Sequence, residues 1–167
     1  MHPESMTFAA PWDHRLRVYT PLICAVFLSI ALILPATTPW LWLIKGILLM
    51  TIFSIWAWAP RAYRVERDHL IIKRLIGDVQ IPLITLRQAR LMKLEETRGA
   101  VRVWAVGCCF GYFGRFLNGV ETQIWYVTDT QKCIRLDCIP HPVVISPSDP
   151  EALISALPLS PQRCETR

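Results

Sequence analysis

Residues 18–34 (VYTPLICAVFLSIALIL) and 40–59 (WLWLIKGILLMTIFSIWAWA) are apolar at almost every position. Neither run alternates or shows a single apolar stripe, so each needs apolar surroundings on all sides. As helices rising about 1.5 Å per residue, both are long enough to cross roughly 30 Å of hydrocarbon. Pro21 is expected in the first turn of the first helix, where a missing N–H is harmless. The intervening PATTP begins and ends in proline and continues neither helix, so the two runs are predicted to form a transmembrane hairpin.

Beyond Pro60 the pattern becomes alternating. Tyr63 and Val65 alternate with Arg64 and Glu66, and Val79, Ile81 and Leu83 alternate with Gln80 and Pro82. With His69-Leu70-Ile71-Ile72-Lys73 between them, and turns at Arg67-Asp68 and Ile76-Gly77-Asp78, residues 62–82 are predicted to be a three-stranded meander. A fourth strand is expected over 87–94, followed by a polar connection, EETRG. Residues 122–128 and 132–138 flank the turn Asp129-Thr130-Gln131 and read as a hairpin whose buried face carries Ile134, Leu136 and Cys138. Val143-Val144-Ile145 makes a last short strand. Ser148-Asp149-Pro150-Glu151 has the spacing of a capping box with Ser148 as cap, opening a helix that runs to Leu157 and stops at Pro158. The predicted division is therefore an N-terminal segment (1–17), the hairpin (18–59), a β domain with a C-terminal helix (60–157) and a tail (158–167). The fold class is α+β: a mostly antiparallel barrel or sandwich closed by one helix.

Charge sharpens the membrane reading. Of 18 Lys and Arg and 13 Asp and Glu, only Lys45 falls within 18–59, close enough to the helix start to snorkel. Trp40 and Trp42 mark one end of the second run and Trp56 and Trp58 the other, as indoles do at headgroup level. Arg15 and Arg17 precede the first run, Arg61, Arg64, Arg67, Lys73 and Arg74 follow the second, and PATTP is uncharged. Both termini are thus expected in the cytoplasm, with the chain in the inner (plasma) membrane and Arg61 and Arg64 joining the Trp pairs as interface anchors. The absence of a small-x-small cleavage site before Pro35 favours an uncleaved anchor over a signal peptide. The net charge of +5 is spread along the edges of the apolar runs and elsewhere mixed with acids, so nucleic acid is not an expected partner, whereas the lipid bilayer is.

Candidate chemistry is sparse. No G-x-S-x-G, H-E-x-x-H or phosphate-binding glycine loop occurs, and His2, His14, His69 and His141 have no paired nucleophile, so no enzyme activity and no cofactor are expected. Cys108, Cys109, Cys133 and Cys138 with His141 offer soft ligands, but adjacent cysteines and a Cys-x4-Cys-x2-His spacing do not make a standard zinc knuckle. The segment GCCFGYFG at 107–114 interleaves glycines with aromatics. It is read either as an interaction loop using Phe110, Tyr112, Phe113, Arg115 and Phe116, or as a structural loop whose rings fill the open barrel end.

The stretch 106–157, with GCCFGYFGRF, the strand–turn–strand IWYVTDTQKCIRL and then VVISPSDPEALISAL, resembles a bacterial PH-like (pleckstrin-homology-like) domain family found behind one or two membrane helices. In that family a similar glycine–aromatic segment precedes a hairpin and an I-S-P-x-D-P helix start. The resemblance implies a PH-like β-barrel with a capping helix and a membrane setting, but no established reaction. PH relatives that hold phosphoinositides use a long basic loop between their first two strands. The turn Arg67-Asp68 is too short for one, so phosphoinositide is not an expected ligand. The resulting expectation is a membrane-anchored adaptor that binds a protein partner, itself or the membrane surface. The alternatives are a redox or metal protein built on the four cysteines and an accessory subunit of a membrane transport complex.

Overall fold

A computed structural model describes residues 6–35, 37–107, 109–119 and 121–157. Cys108, Pro158 and the predicted tail lie outside the described residues. Helix α1 (His14–Ile33) starts four residues before the apolar run, because Asp13 caps it and accepts a 2.7 Å hydrogen bond from the Leu16 N–H. That earlier start moves Pro21 from the first turn into the helix interior, where it removes the N–H that would meet the Arg17 carbonyl. Helix α2 (Pro39–Trp58) begins with Pro39 in its first turn. With mean hydropathies of 2.1 and 1.7, both helices are long and apolar enough to cross a membrane. Away from the sheets they are exposed: α2 buries only Ala57, and Ile33 and Trp40, at the far end of the hairpin, are 81% and 74% exposed.

The rest folds as two sheets. The first is antiparallel, in the order β1 (Met6–Ala9), β2 (Ala62–Val65), β3 (His69–Lys73), β4 (Val79–Pro82), so the meander forms as predicted. Strand β1 was not anticipated: four residues ahead of α1 add themselves to the sheet edge, Phe8 opposite Tyr63. The second sheet contains β5 (Leu86–Leu91), β6 (Val101–Val106), β7 (Tyr112–Asn118), β8 (Glu121–Val127), β9 (Ile134–Cys138) and β10 (Val143–Ile145), in the spatial order β5-β9-β10-β8-β7-β6.

Three expectations are corrected here. Strand β5 stops at Leu91, and the polar connection coils into a short helix α3 (Leu94–Arg98). Strands β8 and β9 do not pair as a hairpin, because β10 lies between them, parallel to β8 and antiparallel to β9. All three β10 residues are apolar and buried, so this strand needs a neighbour on each side and a layer on each face. Ser146, just after β10, accepts from the N–H groups of Thr128 (2.8 Å) and Asp129 (3.1 Å) and fixes the chain where it leaves β8. Finally, the cap of helix α4 (Pro150–Ala156) is Asp149, which accepts from the Ala152 N–H at 3.0 Å, and not Ser148, whose N–H instead reaches the Ala9 carbonyl.

The main core fills the space between the sheets and α4. Tyr63, Leu70, Ile72 and Ile81 from one side meet Ile134, Leu136, Val143 and Ile145 from the other, and Leu153 of α4 closes the end. The Tyr63 hydroxyl crosses between the sheets, donating to the Tyr126 carbonyl at 2.6 Å and accepting from the Ser146 N–H at 3.3 Å. This is an α+β arrangement behind a two-helix hairpin.

Candidate functional site

The glycine–aromatic segment lies where the helices meet the sheets. Phe110 sits at φ 58°, a left-handed conformation uncommon for a large side chain. Its surroundings hold it there: the N–H donates to Thr20 Oγ1 of α1 at 3.2 Å, and the ring meets Trp12 edge-on at 6.0 Å. With Phe113 and Ala59 it forms a small apolar cluster against Cys24 of α1 and Ile52 and Ile55 of α2. The segment read as a loop is mostly strand β7, held between β6 and β8. Phe113 faces the helices, while Phe116, three residues on, faces the other way and stacks on Trp125 at 4.4 Å. Tyr112 is half-buried and Arg115 is exposed. Gly114 (φ 124°) fits because a Cβ there would lie 2.5 Å from the Trp104 carbonyl oxygen.

The ends of the hairpin nearest the sheets are tied to them by backbone bonds. The Ala10 N–H donates to the Arg61 carbonyl (3.0 Å), joining the chain before α1 to the chain after α2. The Asp13 N–H reaches the Thr128 carbonyl (3.0 Å), and Thr130 Oγ1 donates to Asp13 Oδ2 (3.3 Å). At the end of α2 the Ala57 carbonyl accepts from both Leu75 (3.1 Å) and Ile76 (3.2 Å), so the β3–β4 turn supplies partners for a helix end that has none of its own. The side chains of Leu75 and Ile76 remain exposed beside that end.

The cationic and indole side chains divide between the two helix ends. Arg61 lies over the Trp56 ring (4.5 Å), and Arg74 lies over Tyr126 (5.8 Å) and donates from Nε to the Gly77 carbonyl. Lys73 pairs with Asp78 at 2.5 Å, holding that carboxyl below its ordinary range, chiefly through this hydrogen bond. Arg64 is not brought to this cluster: it points along β2 toward Glu66 (3.8 Å), on the strand leading away from α2. At the opposite end of α2, Lys45 lies over Trp42 (5.2 Å) and Trp40 is exposed; Trp58, at the end nearest the sheets, is exposed too.

Two hollows flank the junction. An open apolar groove of about 610 Å³ follows one face of α2 through Trp42, Gly46, Met50 and Trp58 to Val106 and Phe113. On the other face of β7, beside the first turn of α1, lies a mixed cavity of about 350 Å³ with Arg15, Arg98 and Arg102 around a floor of Tyr112, Phe116 and Trp125. No local sequence pattern announces the cavity, because its cations come from three separate elements.

Of the four cysteines that offered soft ligands, the three described ones are dispersed. Cys109 packs in the cluster under the helices, Cys133 beside Trp125 and Val127, and Cys138 in the main core. Burial pushes the Cys133 thiol up to about 12 and the Cys138 thiol to about 11, so both favour the neutral form. Among the described residues, no three His, Cys, Asp or Glu side chains gather closely enough to hold a metal ion.

Comparison with known proteins gives one finding. The model of the family described as Bacterial PH domain matches residues 61–159, from the first residues after α2 to just past α4. No curated protein and no solved structure matches the chain.

Proposed function

The chain belongs to the bacterial PH domain family, and we propose that it is a non-catalytic adaptor whose two helices span the inner membrane and hold the PH-like domain against the cytoplasmic surface. The observation that carries this reading is the closure of the hairpin base. Strand β1, before α1, pairs with β2, after α2, so the chain enters and leaves the hairpin on the side where the domain sits. Arg15 and Arg17 on one approach, and Arg61, Lys73 and Arg74 on the other, supply the basic side that the positive-inside rule assigns to the cytoplasm. Leu75 and Ile76, exposed next to the last turn of α2, would then dip into the headgroup layer.

A reporter that works only in the cytoplasm should be active when fused after Arg167, and one that works only outside should be active when inserted at Thr37. The reverse pattern, or release of the chain from membranes by alkaline carbonate, would refute the anchor. A protein-binding version of the adaptor role is favoured by β6. It is an edge strand of its sheet, and it carries Val101, Val103 and Trp104 exposed, Trp104 at 83%.

A further inference from the structure

We propose that the cavity beside the first turn of α1 binds the phosphate-bearing headgroup of an anionic membrane lipid. Three elements distant in sequence deliver its cations: Arg15 from α1, Arg98 from α3 and Arg102 from β6. Elsewhere on the domain, Arg64, Lys73, Arg90 and Arg135 each have a carboxylate within ion-pair distance. Among the described residues, none of the three cavity arginines has one; Arg61, Arg87 and Arg115 also lack one, and what sets Arg15, Arg98 and Arg102 apart is that they line a single cavity. Among the described residues the one carboxylate in the cavity wall, Asp13, is already engaged by the Leu16 N–H at 2.7 Å and by Thr130 Oγ1 at 3.3 Å. Three arginines lining one cavity, with no carboxylate partner among the described residues, suit a phosphodiester, which accepts paired N–H donors from a guanidinium fork.

Position decides the source of the phosphate. Arg15 precedes Val18, the first residue of the apolar run, by three residues, about 4.5 Å along the helix. That places the cavity mouth at headgroup depth if α1 spans the bilayer, so acyl chains can descend beside α1 while the phosphate enters. The floor is also apolar: the Phe116–Trp125 stack and the Tyr112 ring line it, which suits a glycerol backbone. The inference rests on the membrane-anchor reading.

The test uses the full-length chain reconstituted in nanodiscs of phosphatidylcholine with phosphatidylglycerol, followed by native mass spectrometry of retained lipid. Incorporation into the discs reports on the anchor separately from lipid choice. The wild type should retain phosphatidylglycerol at least fivefold over its share of the mixture. The double variant Arg98→Gln/Arg102→Gln should lose that excess, Arg98→Lys/Arg102→Lys should keep most of it, and the equal charge loss of Arg87→Gln/Arg115→Gln, outside the cavity, should leave it intact. The proposal is overturned if the wild type shows no preference, if the preference survives loss of Arg98 and Arg102, or if both Gln pairs abolish it equally. It also fails if glycerol 3-phosphate saturates the chain in phosphatidylcholine discs while phosphatidylglycerol is not retained, because that would assign the site to a soluble phosphoester.

Discussion

Two buried acids, Tyr63 and Cys133, tie the stability of the domain to alkaline pH. Burial raises Tyr63 to about 12 against an ordinary 10, and Cys133 to about 12 against 9. In both cases the folded chain favours the neutral form. Each contribution is fully present below the unfolded pKa and is lost as pH rises from there toward the folded value, since the unfolded chain releases its proton first. Stability should therefore be flat up to about pH 9 and then decline, by at most about 1.4 kcal/mol per pH unit for each such group. Thermal melts of the full-length chain in detergent micelles between pH 7 and 11 would show this. Cys133→Ala should lower the melting temperature at pH 7, since it leaves a small void, but should flatten the fall above pH 9. An unchanged alkaline slope in the variant would mean that the thiol is not held neutral. The Cys133 Sγ–H···O contact to the Asp129 carbonyl (3.3 Å) and the Tyr63 hydroxyl bridge both use the neutral species as donor, so geometry and pH dependence agree. Neither role was visible in the sequence: alternation marked Tyr63 as inward-facing, but only the tertiary pairing of the two sheets shows what its hydroxyl meets.

Helix α4 illustrates how close a local pattern can come while missing the working residue. The SPSDPE segment correctly announced a helix start, because a proline in the first turn and a small polar residue before it are both favourable there. Two such residues stand in a row, and spacing alone did not choose between them. The choice is tertiary: the Ser148 N–H is drawn to the Ala9 carbonyl at the end of β1, which leaves Asp149 to cap. Asp149→Ala should cost about 0.5–2 kcal/mol, while Ser148→Ala at an exposed position should stay within about 0.5 kcal/mol. Paired melts of the two variants check this, and equal losses would put the cap at both residues. The same logic explains the other elements. The hairpin and the meander were legible because their signals are local: continuous apolarity in one, alternation with short turns in the other. Strands β1, β6 and β7 were not, since Met6–Ala9 is too short to show a period and the glycines around β7 suggest a loop. The insertion of β10 between β8 and β9 depends on a parallel pairing that no adjacent turn encodes.

For the molecule as a whole, the strand directions set which parts of the domain lie beside the end of α2. Strand β2 leaves the end of α2 at Ala62 and climbs three residues, at about 3.3 Å each, to the turn at Arg67-Asp68. Strand β3 returns from His69 to Lys73, and the next turn bonds back to the Ala57 carbonyl. The two turns of one meander thus lie at opposite heights, Leu75-Ile76 beside the helix end and Arg67-Asp68 away from it. This separates Arg64 and Arg67 from Arg61, Lys73 and Arg74, which sequence order alone grouped into one basic cluster. It also gives the anchor reading a quantitative consequence. An environment-sensitive fluorescent amino acid incorporated at Ile76 of the full-length chain should be strongly quenched by brominated lipids in a reconstituted bilayer, and the same residue at Asp68 should not. Both positions are exposed, so neither substitution disturbs the core. Equal quenching at the two sites would mean that the domain lies on its side against the membrane, and no quenching at either would mean that it stands off the surface. Either result would conflict with the bonds that join the β3–β4 turn to the end of α2, and with them the argument that the hairpin and the PH-like domain act as one membrane-facing unit.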